Sequence, residues 1–147
     1  MFTRVVLVLT ALLLGSCGGI DPDSPLGKRK ALFQQMLNTS EDLGGMLHGR
    51  LRFNEEQFRD KALLLEQISR EPWQYFDEPD DSAKSVARDE LWEQKELFMQ
   101  LARELEADTQ RLVQSLEQQP LDKDFLVIRV DQVQKSCENC HQQFRVF

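Results

Sequence analysis

The distribution of glycine and proline limits what this chain can fold into more than any other feature of the sequence. All seven glycines lie at or before Gly49, and only Pro72, Pro79 and Pro120 follow that point. Turns and strand ends use these two residue types most often, and proline interrupts helices. A stretch of about a hundred residues with so few of them is typical of helices. We therefore expect an all-α protein.

Apolar residues recur at three- and four-residue steps in four segments after residue 25. These steps trace one face of a helix, which is the face that a bundle buries. The predicted helices cover residues 26–48, 54–70 and 83–117, and the last one follows Asp122. Asn54 and Asp122 are placed to cap helix starts, and Gly49 is placed to end the first helix. Four amphipathic helices with short or moderate connections predict an antiparallel four-helix bundle.

The same steps predict which side chains face the core. The first helix is expected to face the core with Leu26, Arg29, Phe33, Met36, Ser40, Leu43 and Leu47. The second is expected to do so with Phe58, Ala62, Leu65 and Ile68. The third is expected to turn inward Val86, Leu91, Phe98, Leu101, Leu105, Leu112 and Leu116. The inward set of the fourth is Phe125, Ile128, Val133, Cys137, Cys140, His141 and Phe144. Alternating β-branched runs are absent, so no strand is predicted.

The N-terminus, "MFTRVVLVLTALLLGSC", is typical of a secretory leader. One arginine precedes an apolar run of about ten residues, which is too short to span roughly 30 Å of hydrocarbon. The ending "LGSC" resembles the lipobox of bacterial lipoproteins, in which the cysteine becomes the lipidated first residue. We therefore predict a signal peptide over residues 1–16 and lipidation of Cys17; the alternative is an ordinary leader with an incidental cysteine.

Residues 17–25, which include "GGIDPDSP", have the glycine, proline and aspartate content of a flexible tether. The folded domain is then predicted to cover residues 26–147. It would hang by its lipid on the periplasmic side of a bacterial membrane, with the outer membrane favoured. The formal net charge of the whole chain is −7, which makes nucleic acid an unsuitable partner, because phosphate binding needs clustered Lys and Arg.

The segment "CENCHQQFR", residues 137–145, lies near the end of the last predicted helix. Cys137 lies three residues before Cys140 and four before His141, so all three side chains share one helix face. The pattern C-x-x-C-H is typical of covalent haem attachment, in which two thiols bond the haem and the imidazole reaches the iron. A zinc site is the weaker alternative, since a fourth ligand would have to be Cys17 or His48. A Cys137–Cys140 disulfide is disfavoured by helical geometry.

The chain resembles the cytochromes c′ and their class II cytochrome c relatives. The resemblance runs from about Arg29 to Arg145 and is carried by "RKALFQQM", "LGGMLHG", "PWQYF", "LWEQKELF" and the C-terminal "CENCHQQFR". It implies a left-handed four-helix bundle that holds one haem c. It also implies that Cys137 and Cys140 form thioether bonds to the haem and that His141 is the proximal ligand of the iron.

Further residue roles follow from the resemblance alone. It implies that Arg145 lies near the proximal pocket and that Arg29 approaches a haem propionate. Trp73 and Trp92 match family positions, where packing is the expected role. Such proteins often pair through their first two helices, so a homodimer is a further expectation. Gly44 and Gly45 would allow a close helix contact there or would admit the haem.

The position opposite the proximal ligand decides the expected function. In relatives with a six-coordinate haem, a methionine four residues after the first-helix arginine binds the iron, and here that position is Phe33. A phenyl ring cannot ligate, so we expect a five-coordinate iron that is open to nitric oxide or carbon monoxide. Met36 is the alternative ligand, although a core methionine is more often filler.

Three functions remain open from the sequence. The first is binding of a diatomic gas, and the second is one-electron transfer with periplasmic redox proteins, for which the acidic surface could steer docking. The third is a structural bundle that carries no haem. No distal histidine or other obvious donor stands on the first helix, so peroxidase chemistry is disfavoured and we do not expect an enzyme.

Overall fold

The computed structural model describes residues 19–79 and 84–147. The predicted signal peptide and Cys17 lie outside the described residues. Four long helices dominate the described part: α1 (Pro25–Leu47), α2 (Glu55–Ile68), α4 (Lys95–Ser115) and α5 (Lys123–Phe144). Two short elements lie between α2 and α4, a 3-10 turn over Pro72–Tyr75 and the one-turn helix α3 (Glu90–Glu93).

The long helices pack as the predicted antiparallel four-helix bundle, which is confirmed. Helix α1 packs against α2 and α5, and α4 packs against the same two helices. The helices therefore follow the order α1, α2, α4, α5 around the bundle. None of the helices in the described ranges is both long and apolar enough to cross a membrane.

Side-chain caps set where three of the long helices begin, and the sequence predicts two of these caps. The side chains of Asn54 and Asp122 each accept a hydrogen bond from a backbone N–H of the first turn, at 2.9 and 3.1 Å. Ser24 caps α1 in the same way at 3.0 Å. Gly49 follows the end of α1 with φ of 74°, a left-handed conformation that glycine adopts without strain. The starts of α1, α2 and α5 are thus encoded locally, within a few residues.

Buried side chains form two clusters. The larger one, here the main core, joins all four long helices and consists of Met36, Leu43, Met46, Phe58, Ala62, Leu65, Ile68, Leu105, Leu112, Leu116, Leu126, Val130 and Val133. The second contains six aromatic residues, of which five contact one another ring to ring and are here called the aromatic cluster: Phe33, Trp73, Phe76, Phe98 and Phe144. The aromatic cluster lies beside the last turns of α5 and therefore beside the C-x-x-C-H motif.

The prediction of the third helix was wrong for the first part of its range. Residues 84–89 are not helical, and the helix starts only at Glu90 and breaks once more at Gln94. The reason is a short antiparallel pairing with the end of the chain. Val86 O accepts from Val146 N at 2.8 Å, and Arg88 N donates to Phe144 O at 2.9 Å. Backbone groups used in this way cannot form the bonds of a helix, and Val86 is 43% exposed rather than inward.

The inward face of the fourth helix was also misplaced in its first half. Ile128 is 53% exposed, whereas Leu126 and Val130 are only 1% and 2% exposed. Asp122 caps the helix so that Leu126 begins the buried stripe, and Val130 and Val133 follow at steps of four and three. From Val133 onward the predicted face is the observed one.

Gly44 and Gly45 both serve close contacts within the bundle. A Cβ added at Gly44 would meet Gln134 Nε2 of α5 at 3.2 Å, and one added at Gly45 would meet Leu51 at 3.1 Å. Glycine lets α5 and the α1–α2 connection approach α1 at these points. The space beside both glycines is therefore filled by side chains of this same chain.

Candidate functional site

The C-x-x-C-H motif occupies the last two turns of α5. Cys137, Cys140 and His141 are all half-buried and lie on the same side of the helix. Cys137 packs against the main core, and Cys140 packs against the aromatic cluster. Both cysteines are free thiols rather than a disulfide. The motif thus presents two unpaired thiols and one imidazole at the boundary between the two clusters.

Burial controls the protonation of these groups. It raises the pKa of the Cys137 thiol to about 11. Burial, and after it the charge of neighbouring Cys137, raises the pKa of Cys140 to about 11 as well. Burial also lowers the pKa of His141, with a further contribution from the positive charge of Arg145. At neutral pH the site therefore holds neutral thiols and a neutral imidazole, the form of histidine that can ligate a metal.

Phe33 of α1 faces the imidazole across the bundle. The ring centroids of Phe33 and His141 are 6.3 Å apart, with an angle of 72° between the planes. Phe33 also contacts Trp73 at 6.0 Å and Phe76 at 6.1 Å. The structure therefore brings together His141 and the residue that was predicted to lie opposite it.

The remaining members of the aromatic cluster extend from this contact. Phe98 lies 5.8 Å from Trp73, 4.9 Å from Phe76 and 5.6 Å from Phe144, measured between ring centroids. These rings come from three long helices, α1, α4 and α5, and from the segment that follows α2, and together they form one apolar site. Such a lining suits a large flat apolar ligand.

Arg29 lies beside the aromatic cluster, one turn before Phe33 on α1. Its side chain is only 3% exposed, and burial lowers the pKa of the guanidinium. It donates to Tyr75 O at 2.9 Å and to Ser85 Oγ at 3.2 Å, and it lies 4.4 Å from the Phe76 ring centroid. A buried guanidinium held in this way adds positive charge at the edge of an otherwise apolar site.

Arg145 ends α5 on the solvent side of the motif. Its backbone N–H donates to His141 O at 3.0 Å, and its guanidinium lies 5.6 Å from the Phe147 ring centroid. The side chain is exposed. The residue thus contacts His141 through its backbone, and its place near the proximal pocket stays a prediction.

The two residues considered as alternative ligands lie elsewhere. Met36 is 4% exposed and belongs to the main core rather than to the aromatic cluster. His48 is exposed at the end of α1. The described ranges contain no group of three or more His, Cys, Asp or Glu side chains that could hold a metal ion directly.

Sequence reasoning missed one feature of the site. Trp73 was expected to serve packing only, but its indole Nε1 is buried and meets no hydrogen-bond acceptor in the described part of the chain. The indole of Trp92, in contrast, donates to Phe76 O at 3.2 Å. A buried tryptophan usually finds a partner for its N–H, and no local sequence pattern indicates that Trp73 does not.

The residues present fit haem c. Haem is a flat apolar macrocycle with two anionic carboxylates, and c-type attachment uses two thiols and an axial imidazole. The site offers Cys137, Cys140 and a neutral His141 beside the aromatic cluster. Arg29 supplies a buried cation, and Trp73 Nε1–H supplies a buried donor without an acceptor among the described residues. Each chemical part of the cofactor thus has a counterpart in this chain.

Comparison with known sequences agrees with this fit. A family model described as "Cytochrome C'" matches residues 24–145. A curated cytochrome c′ of Rhodopseudomonas palustris (strain ATCC BAA-98 / CGA009) is 24% identical over 148 residues, which cover 99% of this chain and 97% of that protein. The match therefore spans both proteins almost end to end.

Solved structures share the fold. Cytochrome c prime from Shewanella frigidimarina superposes with a TM-score of 0.79 at 21% identity, covering 88% of this chain and 100% of that one. A variant of cytochrome c prime from Alcaligenes xylosoxidans, solved as a nitric oxide complex, gives a TM-score of 0.75 at 20% identity over 88% and 99% of the two chains. Another variant of that protein was solved with carbon monoxide bound, at the same identity and TM-score over 88% and 100%.

Proposed function

Because the chain belongs to the cytochrome c′ family, which implies a haem c cofactor, we propose that it carries a single covalent haem through Cys137 and Cys140. His141 is the proximal ligand of the iron in this proposal. The thiols and the imidazole share one face of α5 beside the aromatic cluster, which supports these roles. When bound, haem c supplies an iron that cycles between Fe(III) and Fe(II) and accepts a diatomic gas.

Phe33 gives the site its function in this proposal. Its ring on α1 lies 6.3 Å from the His141 ring between centroids, and this observation carries the functional conclusion. A phenyl ring has no lone pair for a metal and no donor for a bound ligand. Phe33 therefore leaves the iron five-coordinate and fills the space opposite His141 with apolar bulk, which a small gas must displace.

Nitric oxide and carbon monoxide are the ligands that suit such a pocket. Neither needs the hydrogen bond that stabilises bound oxygen, and Phe33 provides none. The nitric oxide and carbon monoxide complexes of the Alcaligenes xylosoxidans protein support this choice of gases. The proposed activity is thus reversible binding and one-electron cycling rather than catalysis of a reaction.

The visible absorption spectrum of the protein, expressed together with haem-maturation machinery, tests this function. A Soret band with high-spin character is the expected result. A low-spin spectrum with a Met–iron band would instead assign the sixth ligand to Met36 and favour an electron-transfer protein. A protein without a Soret band after maturation would contradict the proposal and favour a structural bundle.

Electron transfer is the second candidate function, and it is compatible with gas binding. The observation that favours it is the formal net charge of −7, which attracts a redox partner with a basic patch. Raising the ionic strength should then slow electron exchange with such a partner, because salt screens surface charges. An exchange rate that does not depend on salt would remove the electrostatic argument.

We also propose the periplasmic side of a bacterial membrane, with the outer membrane favoured, as the location. The leader and the "LGSC" sequence support export and lipidation of Cys17. Covalent haem attachment outside the cytoplasm agrees with that route.

Two copies are further proposed to pair through α1 and α2, since Leu37 and Leu63 on these helices are 51% and 52% exposed. Sedimentation velocity would show a monomer if the pairing is wrong.

A further inference from the structure

The indole N–H of Trp73 is a buried hydrogen-bond donor that meets no acceptor among the described residues. Its ring packs edge-on against Phe33 and Phe98, at centroid distances of 6.0 and 5.8 Å. Trp92, the other tryptophan of the chain, donates its indole N–H to Phe76 O at 3.2 Å. The two tryptophans therefore differ in whether the described protein satisfies the indole.

A buried donor that is left unpaired destabilises a fold, because it has lost its bond to water without a replacement. The rings of Phe33 and Phe98 offer at best a weak acceptor. A gas on the iron would satisfy the indole only while it is bound and would leave the donor unpaired in the resting protein. An acceptor that is always present in the mature protein is therefore favoured.

We propose that Trp73 Nε1–H donates a hydrogen bond to a carboxylate of the haem propionates. This inference rests on the proposed function, since it needs the haem. The pyrrole nitrogens of haem bind the iron, so the propionate oxygens are the acceptors that the cofactor keeps free. A hydrogen bond from a neutral N–H to an ionised carboxylate is stronger than one to a neutral acceptor.

The position of Arg29 supports the same acceptor. Its guanidinium lies 4.4 Å from the Phe76 ring centroid, and Phe76 lies 6.1 Å from Phe33. Phe33 in turn contacts Trp73, so a buried cation and a buried neutral donor flank one group of rings. Both groups favour an anion over a neutral ligand. Trp73 thus acts as a positioning residue that holds one edge of the cofactor and keeps its carboxylate ionised.

Nuclear magnetic resonance of the haem-loaded ferrous protein with carbon monoxide bound tests this directly. The chain has two tryptophans, so its spectrum contains two indole N–H signals. The signal that persists in a Trp92→Phe variant belongs to Trp73. We expect this proton to exchange slowly with solvent and to show a nuclear Overhauser effect to the propionate methylene protons.

A matched pair of variants adds a second readout. Trp73→Phe and Trp92→Phe each remove one indole N–H and keep an aromatic ring. Only Trp73→Phe should shift the propionate bending band in the resonance Raman spectrum. It should also raise the pKa of that propionate by about one unit, since the anion loses a charge-assisted hydrogen bond.

The outcomes separate this inference from the function on which it rests. A protein without covalent haem contradicts the proposed function. A haem-loaded wild type whose Trp73 proton shows no contact with the propionate methylenes contradicts the role of Trp73 alone, even if Trp73→Phe does not fold. A Trp73→Phe variant that changes the carbon monoxide stretching frequency and leaves the propionate band unmoved would place the indole on the gas instead, and would also overturn the proposal.

Discussion

At the scale of single residues, the contact between Phe33 and His141 makes the sharpest prediction. Replacing Phe33 by Ala removes the ring that a gas must displace and should speed carbon monoxide association. A barrier lower by about 1.4 kcal/mol corresponds to about tenfold in rate. Phe33→Met should instead offer a sixth ligand, push the iron toward low spin and slow gas binding. Stopped-flow traces on the ferrous proteins measure all three rates.

Phe53→Ala is the matched control for this series. Phe53 is also a half-buried phenylalanine, but it packs 5.7 Å from Phe58 at the main core rather than beside His141. Its loss should destabilise the bundle and leave the association rate unchanged. If Phe33→Ala is no faster than the wild type, Phe33 does not lie over the iron, and Met36 becomes the next residue to test.

The residues of the site differed in how well the sequence predicted them. Cys137, Cys140 and His141 could be placed together because a helix brings residues three and four apart onto one face. The burial of Arg29 followed from helical spacing, but its bond to Tyr75 O did not, since 46 residues separate them. The unpaired indole of Trp73 depends on rings from α1 and α4, and no local pattern encodes that arrangement.

At the scale of elements, the cap of α5 should contribute measurably to stability. Asp122→Ala removes the side chain that accepts from Phe125 N at 3.1 Å. We expect a loss of about 1 kcal/mol in the free energy of unfolding, the typical cost of losing such a cap. Asp131→Ala, an exposed mid-helix change on the same helix, is the control. Urea unfolding followed by circular dichroism would contradict this role if both variants had the wild-type midpoint.

The pairing of residues 86–88 with residues 144–146 should hold the end of α5. Val146→Pro removes the N–H that donates to Val86 O at 2.8 Å and should cost about 1 kcal/mol of stability. Val146→Ala keeps the backbone bond and serves as the control. Hydrogen exchange at Arg88 N, which donates to Phe144 O, should also become faster in the proline variant alone. Equal protection in both variants would show that the pairing does not stabilise this end.

The elements were predicted best where their signals are local. The caps at Asn54 and Asp122 and the end at Gly49 depend on a few neighbouring residues, and the structure has all three. The start of the third helix depends on pairing with the end of the chain, so residues 84–89 were assigned wrongly to a helix. Nothing in the sequence around Gln94 predicts the break between α3 and α4. Ile128 was misplaced because Leu126 offers an equally good start to the apolar stripe.

At the scale of the whole molecule, the proposed lipid anchor at Cys17 decides where the haem domain works. Cys17→Ala should block lipidation and either release the protein from membranes or leave it unprocessed. Fractionation of cells that express both proteins, followed by mass spectrometry of the mature N-terminus, measures this. A wild type that is already soluble and begins at another residue would show that "LGSC" is not a lipobox.

The proposed attachment of haem depends on the whole bundle. The aromatic cluster gathers rings from four parts of the chain, and the motif on α5 lies at its boundary with the main core, with Cys140 and His141 against the aromatic cluster and Cys137 against the main core. The most direct measurement is intact mass spectrometry of the matured protein after acid–acetone extraction. We expect a chain heavier by one haem, and a Cys137→Ala/Cys140→Ala variant without that mass. Haem that washes out of the wild type, or that stays covalently bound in the double variant, would contradict it.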